Sequence, residues 1–440
     1  MSNEKKLLDL FKEQKTFFDE KVNGGIETYR KGNGKITISD TDGNAISNAK
    51  IKIKQISHEF RFGANLFMLD ELETQEKNDA YKKAFADVFN MATLPFYWNT
   101  LEPEQGKPRY AKDSVKVYRR PAPDLWIEFC EKHGIEPREH ALAYDHFFPD
   151  WLADASVDEV KQALERRYSE IAERYAHKIP TIEVTNEMEW ERGKTKFYDE
   201  PDFVEWCFKL AEKYFPNNQL VINEHTSAVW TDRCRASDKY YAYIEANMLK
   251  GARIDAIGMQ YHLFRRREIL YDETRLTLNP QSLYRHMDLY SNFGKPLQIT
   301  EVTVPAYSWE AEDEALQAEI IEKLYSLWFS HPGVEQIVYW NLADGYAHGA
   351  VPGDMEVGEN YYYGGLLRFD MSPKPSYHRI KELIQKRWHT EAELVTDDNG
   401  CAGFRGFYGD YDVEITLDGT VQKRTLSHKK NGDNQFTLAI

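Results

Sequence analysis

Two segments, Val184-Thr185-Asn186-Glu187 and Ile299-Thr300-Glu301, each close an apolar, β-prone run with a glutamate. In a barrel of parallel strands, side chains at the C-terminal strand ends are where the chemistry is placed. A pair of carboxyls there suits cleavage of a glycosidic bond. One must carry a proton to the leaving oxygen while the other stays ionised against a developing oxocarbenium ion. Glu187 and Glu301 are therefore the candidate catalytic pair.

The elements that must position them are legible as alternating textures. Phe60–Leu66, Met91–Phe96, Glu136–Leu142, Thr181–Thr185, Gln219–Asn223, Ile254–Met259, Leu297–Thr300 and Gln336–Trp340 form eight candidate strands separated by amphipathic helical stretches. This alternation predicts an α/β fold, a (β/α)8 TIM barrel over residues 58–390, with Glu187 ending the fourth strand and Glu301 the seventh. Residues 1–30 have helical periodicity. Residues 31–57 alternate apolar with polar around Asp40-Thr41-Asp42-Gly43-Asn44, which predicts a hairpin. Residues 391–440 alternate again after a helix near Lys374–Trp388. Neither strand set buries two faces alone, so the two are expected to pair into a small β-sandwich built from both chain ends that braces the barrel.

Composition narrows the function. A net charge of −16 argues against nucleic acid or an anionic membrane as partner, since either requires a basic face. The 27 Tyr and 10 Trp suit stacking on sugar rings and equally suit filling a large core. Cys130, Cys207, Cys234 and Cys401 have no paired spacing, and no His-rich cluster shows ligand spacing, so no disulfide framework, metal or cofactor is expected. The first residues lack a basic segment followed by an apolar run, and no stretch is long enough to span a bilayer. The expectation is a cytoplasmic protein, or a secreted one whose export signal has been removed.

With the glutamates on strand ends, the surrounding residues resemble glycoside hydrolase family 10, the retaining β-1,4-xylanases. The matching pieces are Phe60-Arg61-Phe62-Gly63-Ala64, Leu101-Glu102-Pro103-Glu104-Gln105-Gly106, His140-Ala141-Leu142, Phe148-Pro149-Asp150-Trp151-Leu152, Thr185-Asn186-Glu187, Gln260-Tyr261-His262, Ile299-Thr300-Glu301, Tyr339-Trp340-Asn341 with Asp344, and Lys374-Pro375-Ser376-Tyr377. Gly403-Phe404-Arg405-Gly406-Phe407 is similar to the β-tail of plant-type members. The resemblance implies an oligosaccharide or polysaccharide substrate, Glu187 as general acid/base and Glu301 as nucleophile, with carboxyls roughly 5–5.5 Å apart. It also implies that Asn186 bonds the sugar 2-hydroxyl and that His262, beside Gln260, orients Glu301. By the same resemblance His140 holds a hydroxyl in the −1 subsite and Trp340 stacks under the −1 sugar.

Departures from the family concentrate in the subsites. Thr93-Leu94-Pro95-Phe96-Tyr97-Trp98 stands where xylanases carry polar grips on the −1 and −2 sugars, so Tyr97 becomes a candidate contact. Tyr144-Asp145 replaces a Trp-His pair, His348 a second Trp, and Thr303 the Asp two positions beyond the nucleophile. The expectation is a retaining glycosidase acting on xylan or xylo-oligosaccharides. Exo-action on substituted or aryl glycosides from a cleft closed by Leu94 and Pro95 is the alternative, and a non-catalytic carbohydrate binder the more distant one. Arg265-Arg266-Arg267 is a candidate fork for a carboxylate and otherwise a solvated turn. Tyr361-Tyr362-Tyr363 is a candidate platform for a distal sugar.

Overall fold

The computed structural model describes residues 6–189, 192–275 and 277–440, and among these described residues there are fifteen strands. In chain order these are β1 (Lys31–Ser39), β2 (Lys50–Gln55), β3 (Arg61–Asn65), β4 (Met91–Pro95), β5 (Glu136–His140), β6 (Thr181–Asn186), β7 (Gln219–Asn223) and β8 (Ala256–His262). They continue with β9 (Leu297–Thr303), β10 (Val334–Tyr339), β11 (Glu391–Val395), β12 (Cys401–Phe407), β13 (Gly409–Leu417), β14 (Thr420–His428) and β15 (Gln435–Ala439). Strands β3 to β10 close into a parallel barrel in chain order, β10 pairing back onto β3. Strands β4, β6 and β9 are buried at every position, as expected where helices cover the outside and side chains fill the inside. The eight barrel strands overlap the eight expected from sequence.

The terminal strands have the other texture. In β2, Lys-Ile-Lys-Ile-Lys-Gln alternates exposed and buried, which is the pattern of a sheet with one face in solvent. Strands β12-β1-β15 form one sheet and β11-β2-β13-β14 another. Their inner faces share a core of Ile36, Ile38 and Phe404 against Ile51, Ile53, Val413 and Ile415. The expected hairpin over residues 31–57 is not formed: β1 and β2 enter different sheets, and each pairs with C-terminal strands. The reason is burial, because each strand's apolar face is covered only when the two lie in opposite layers. The local hairpin forms instead between β13 and β14, where Asp418 (φ 48°) and Gly419 (φ 82°) make the left-handed two-residue turn. Strand β14 was not anticipated.

The helix Lys15–Tyr29 packs on the helix Ala311–Ser330 of the barrel's outer ring. Gly25 is required there, since a Cβ would collide with the Ser330 carbonyl. Buried Arg30 then donates to the carbonyls of Phe329, His331 and Val334, satisfying groups at the end of that helix and at the entry of β10. No helix among the described residues is long and apolar enough to cross a membrane.

Candidate active site

Glu187 and Glu301 both line a cleft of about 500 Å³ at the C-terminal ends of the barrel strands. A hollow of about 580 Å³ lies at the opposite end, beside Phe60, Arg61 and Glu335, away from both glutamates.

The two carboxyls are linked through three carboxamides. Gln260 Nε2 donates to Glu187 Oε1 (3.1 Å) and to Asn186 Oδ1 (3.2 Å). Asn223 Nδ2 approaches the same Asn186 oxygen (3.0 Å) and Glu301 Oε1 (3.0 Å). Asn223 Oδ1 accepts from the Thr300 hydroxyl at 2.7 Å, which fixes the direction of the amide. Strand irregularities make this possible. Consecutive side chains on a regular strand point to opposite faces, yet Thr300 and Glu301 both reach Asn223. The β8/β9 register slips between Met259 and Gln260, so Gln260 faces Glu301, and the β6/β7 register slips between Glu183 and Thr185. Such bulges re-aim side chains. Gly258 completes the arrangement, since a Cβ there would strike the Asn223 carboxamide. Glu187 itself sits just past β6 at φ 51°, a left-handed conformation that costs a non-glycine residue about 1–3 kcal/mol.

Each carboxyl has a further partner. The Tyr144 hydroxyl donates to Glu187 Oε2 at 2.5 Å, and burial followed by the Glu187 charge pushes that phenol well above its ordinary range. His262 Nε2 lies 3.1 Å from Glu301 Oε2, and its Nδ1 lies 2.9 Å from the Thr303 hydroxyl. Thr303 thus occupies the place of the missing carboxylate. Trp340 lies edge-on to His140 and His262 and packs with Phe67 and Tyr97 in one aromatic cluster at the cleft wall.

Several expectations change on inspection of the geometry. Asp145 does not face the cleft: its carboxylate accepts from the Lys194 and Thr195 amides and the Thr195 hydroxyl, bracing the loop beyond β6. His140 lines the same cleft but is buried with both ring nitrogens engaged, Nδ1 by Glu183 (2.8 Å) and Nε2 by the Tyr97 hydroxyl (2.9 Å). Leu94 packs into the core and closes nothing. Arg267 grips Asp313 with two bonds (2.7 and 3.0 Å), and Arg265 pairs with Glu273 at 2.7 Å. Tyr362 packs on Phe264, which stacks on His262 at 4.5 Å, so one residue of the tyrosine run extends an aromatic row out of the cleft. His348 lines the cleft edge-on to Phe147, and burial, then Arg120 and Arg119, lower its basicity.

Residues not anticipated include Asn223, Glu183, Glu224, Arg119 and Arg120. Asn223 ends a barrel strand as Glu187 and Glu301 nearly do, and that position was the signal available. Glu183, His140 and Glu301 converge closely enough to ligate a cation. Glu183 is already held by Arg138, His140 and Asn223; burial pushes its carboxyl up, but those partners bring it below the ordinary range. The set is that of a buried ion-pair network, in which Glu183 Oε1 is already taken by His140 and Asn223 and Oε2 by Arg138. Glu224 accepts from the Met188 and His225 amides (2.7 and 2.9 Å), and burial pushes its carboxyl up to about 8.

Comparison with known proteins places this geometry in context. The family model described as glycosyl hydrolase family 10 matches residues 54–383. Endo-1,4-beta-xylanase 2 of Arabidopsis thaliana is 25% identical over 404 residues, spanning 90% of this chain and 33% of that protein. Anti-sigma-I factor RsgI6 of Acetivibrio thermocellus is 25% identical over 409 residues, spanning 91% of this chain and 47% of that protein. The chain thus spans less than half the length of these curated relatives. Among solved structures, native xylanase 10B from Thermotoga maritima superposes with a TM-score of 0.59 at 22% identity, covering 75% of this chain and 96% of that one. Xylanase 10B from Thermotoga petrophila in complex with xylobiose superposes with a TM-score of 0.60 at 22% identity, covering 75% and 95%. At these identities the structural likeness speaks for the fold.

Proposed function

The chain belongs to glycosyl hydrolase family 10, and from that membership and the site geometry we propose that it hydrolyses β-linked xylose-containing glycosides, xylan or xylo-oligosaccharides, by retaining double displacement. The observation that carries the reading is the carboxamide link between Glu187 and Glu301 across one cleft. Glu301, aimed by Asn223 and His262, attacks the anomeric carbon as Glu187 protonates the leaving oxygen. Glu187 then takes a proton from water to release the glycosyl ester. Asn186, between the carboxyls, is positioned for the sugar 2-hydroxyl. The xylobiose bound to the Thermotoga petrophila xylanase supports an oligosaccharide substrate.

A second reading, release of short or terminal units rather than internal cleavage, is favoured by the wall that Phe67, Tyr97 and Arg120 build at the end of β3 and β4. Purified protein incubated with xylan, xylo-oligosaccharides and aryl β-xylosides separates the two: a mixture of internal oligosaccharides supports the first, single units the second. Glu187→Ala is expected to lower kcat by about 10²- to 10⁴-fold, and Glu301→Ala at least as much, with unchanged folding. Near-wild-type turnover in either variant would sink the role assigned to that glutamate, whereas binding of xylo-oligosaccharides with no turnover by the wild type would leave a carbohydrate binder. The first product anomer, read by NMR, should be β; an α product would exclude retention.

A further inference from the structure

The cleft wall contains a feature that cleavage of a neutral xyloside does not use. Arg119 and Arg120, in the loop between β4 and β5, are only 2% and 4% exposed and both line the cleft with Glu187 and Glu301. Among the described residues, neither has a carboxylate within ion-pair distance. Backbone and rings hold them instead. Arg120 Nη1 donates to the Arg119 carbonyl (2.8 Å), and its guanidinium lies over Tyr97 (4.2 Å) and Phe67 (4.9 Å). Arg119 lies over Phe67 (5.2 Å), and its Nη2 donates to Asn341 Oδ1 at 3.3 Å. The Nε of each has no acceptor. Glu359, a nearby acid on the cleft rim, is engaged by Asn341 Nδ2 at 2.7 Å.

Two adjacent buried cations with unmet donors are costly unless a counter-charge arrives. The chain as a whole is acidic, at −16, so this is not the residue of a generally basic surface. Burial lowers the Arg120 guanidinium to about 9, a shift that a bound anion would reverse. The loop is also built to hold its shape. Arg109 donates to the carbonyls of Val115 (2.6 Å), Thr100 (2.8 Å) and Arg120 (3.2 Å), and Arg119 is kept at φ 62°. Planar guanidinium forks match the paired oxygens of a carboxylate or sulfate.

The geometry points to a β-glycoside whose glycone carries an anionic group, a uronic carboxylate or a sulfate ester, received by Arg119 and Arg120. This deepens the hydrolytic reading above and rests on it. The test compares kcat/KM for 4-nitrophenyl β-D-glucuronide, the 6-sulfated β-D-glucoside, β-D-glucoside and β-D-xyloside, using wild type, Arg119→Met, Arg120→Met and Arg120→Lys. A preference for the glucuronide of tenfold or more over the glucoside, reduced at least tenfold in the Met variants through KM and partly kept by Arg120→Lys, supports a carboxylate ligand. The same pattern with the sulfated glucoside supports a sulfate. Neutral glycosides cleaved as well as or better than charged ones, with ratios unmoved by the substitutions, overturns the inference and leaves the hydrolytic reading standing.

Binding to wild type decides the matter independently of turnover. Calorimetry with 4-nitrophenyl 1-thio-β-D-glucuronide, its 6-sulfated glucoside analogue and the neutral thioglucoside is expected to show tighter binding of an anionic analogue, weakening as salt is raised. Equal affinities overturn the inference. Loss of all hydrolysis with this preference intact would overturn the hydrolytic reading alone.

Discussion

Tyr144 contributes a hydroxyl to the carboxyl that must exchange protons, at 2.5 Å from Glu187 Oε2. A hydrogen bond to an ionisable partner is worth about 1.5–3 kcal/mol, so Tyr144→Phe is expected to lower kcat/KM roughly 10- to 100-fold. The Tm should change little, because the ring still packs on Phe147. An unaltered kcat/KM would show that Glu187 is positioned without it. Glu224 acts on stability instead. Its folded carboxyl, pushed up to about 8 by burial, keeps its proton where an unfolded one has already ionised. The folded state therefore binds more protons between about pH 4.5 and pH 8, and stability falls as pH rises through that window, by at most about 1.4 kcal/mol per unit. Urea unfolding at pH 5, 6.5 and 8 should show this decline, and Glu224→Gln should flatten it. An equally steep decline in the variant would remove Glu224 as its source.

At the scale of elements, the catalytic pair depends on two register slips and one missing side chain. The slips turn Thr300 with Glu301, and Glu183 with Asn186, toward Asn223, and Gly258 leaves that carboxamide its room. Gly258→Ala is expected to cost about 1–3 kcal/mol of stability through overpacking. It should also lower kcat about 100-fold, because displacement of Asn223 moves both Asn186 and Glu301 from their aim. Full activity with a normal Tm would mean that Asn223 can retreat without consequence. Two adjacent residues show the same dependence on elements: Tyr144 reaches Glu187, whereas Asp145 turns to Lys194 and Thr195.

For the whole molecule, the question is what the terminal strands do for the barrel. Strand β1 continues directly from Arg30, whose guanidinium is bonded to the barrel's outer helix and to the entry of β10, and β1 is flanked on both sides by C-terminal strands. Removal of residues 393–440 would strip β1 of both neighbours and β2 of β13, leaving backbone donors and apolar faces open. The Tm is expected to fall by several degrees, read by calorimetry. An unchanged Tm would count against a bracing role and direct attention to a ligand on the sandwich.

What the sequence determined by itself is what local pattern encodes. Runs buried on both faces, strict alternation and strand-terminal polar residues are properties of consecutive positions, so the barrel, the sandwich texture and the candidates Glu187 and Glu301 could be read from them, while Asn186 came from the family resemblance. The partners of those residues were decided only in three dimensions. Arg119 and Arg120 sit in a loop without periodicity, and as a sequence they are a polar Arg-Arg pair; only folding buries them beside Phe67 and Tyr97. Asn223 became a hub because bulges broke the period-two rule on two separate barrel strands, β6 and β9. Strands β1 and β2 parted into opposite layers because their covering strands lie more than 300 residues away in the chain. In each case the deciding interaction joins residues distant in sequence, and burial and hydrogen bonding across that distance overrule the local signal.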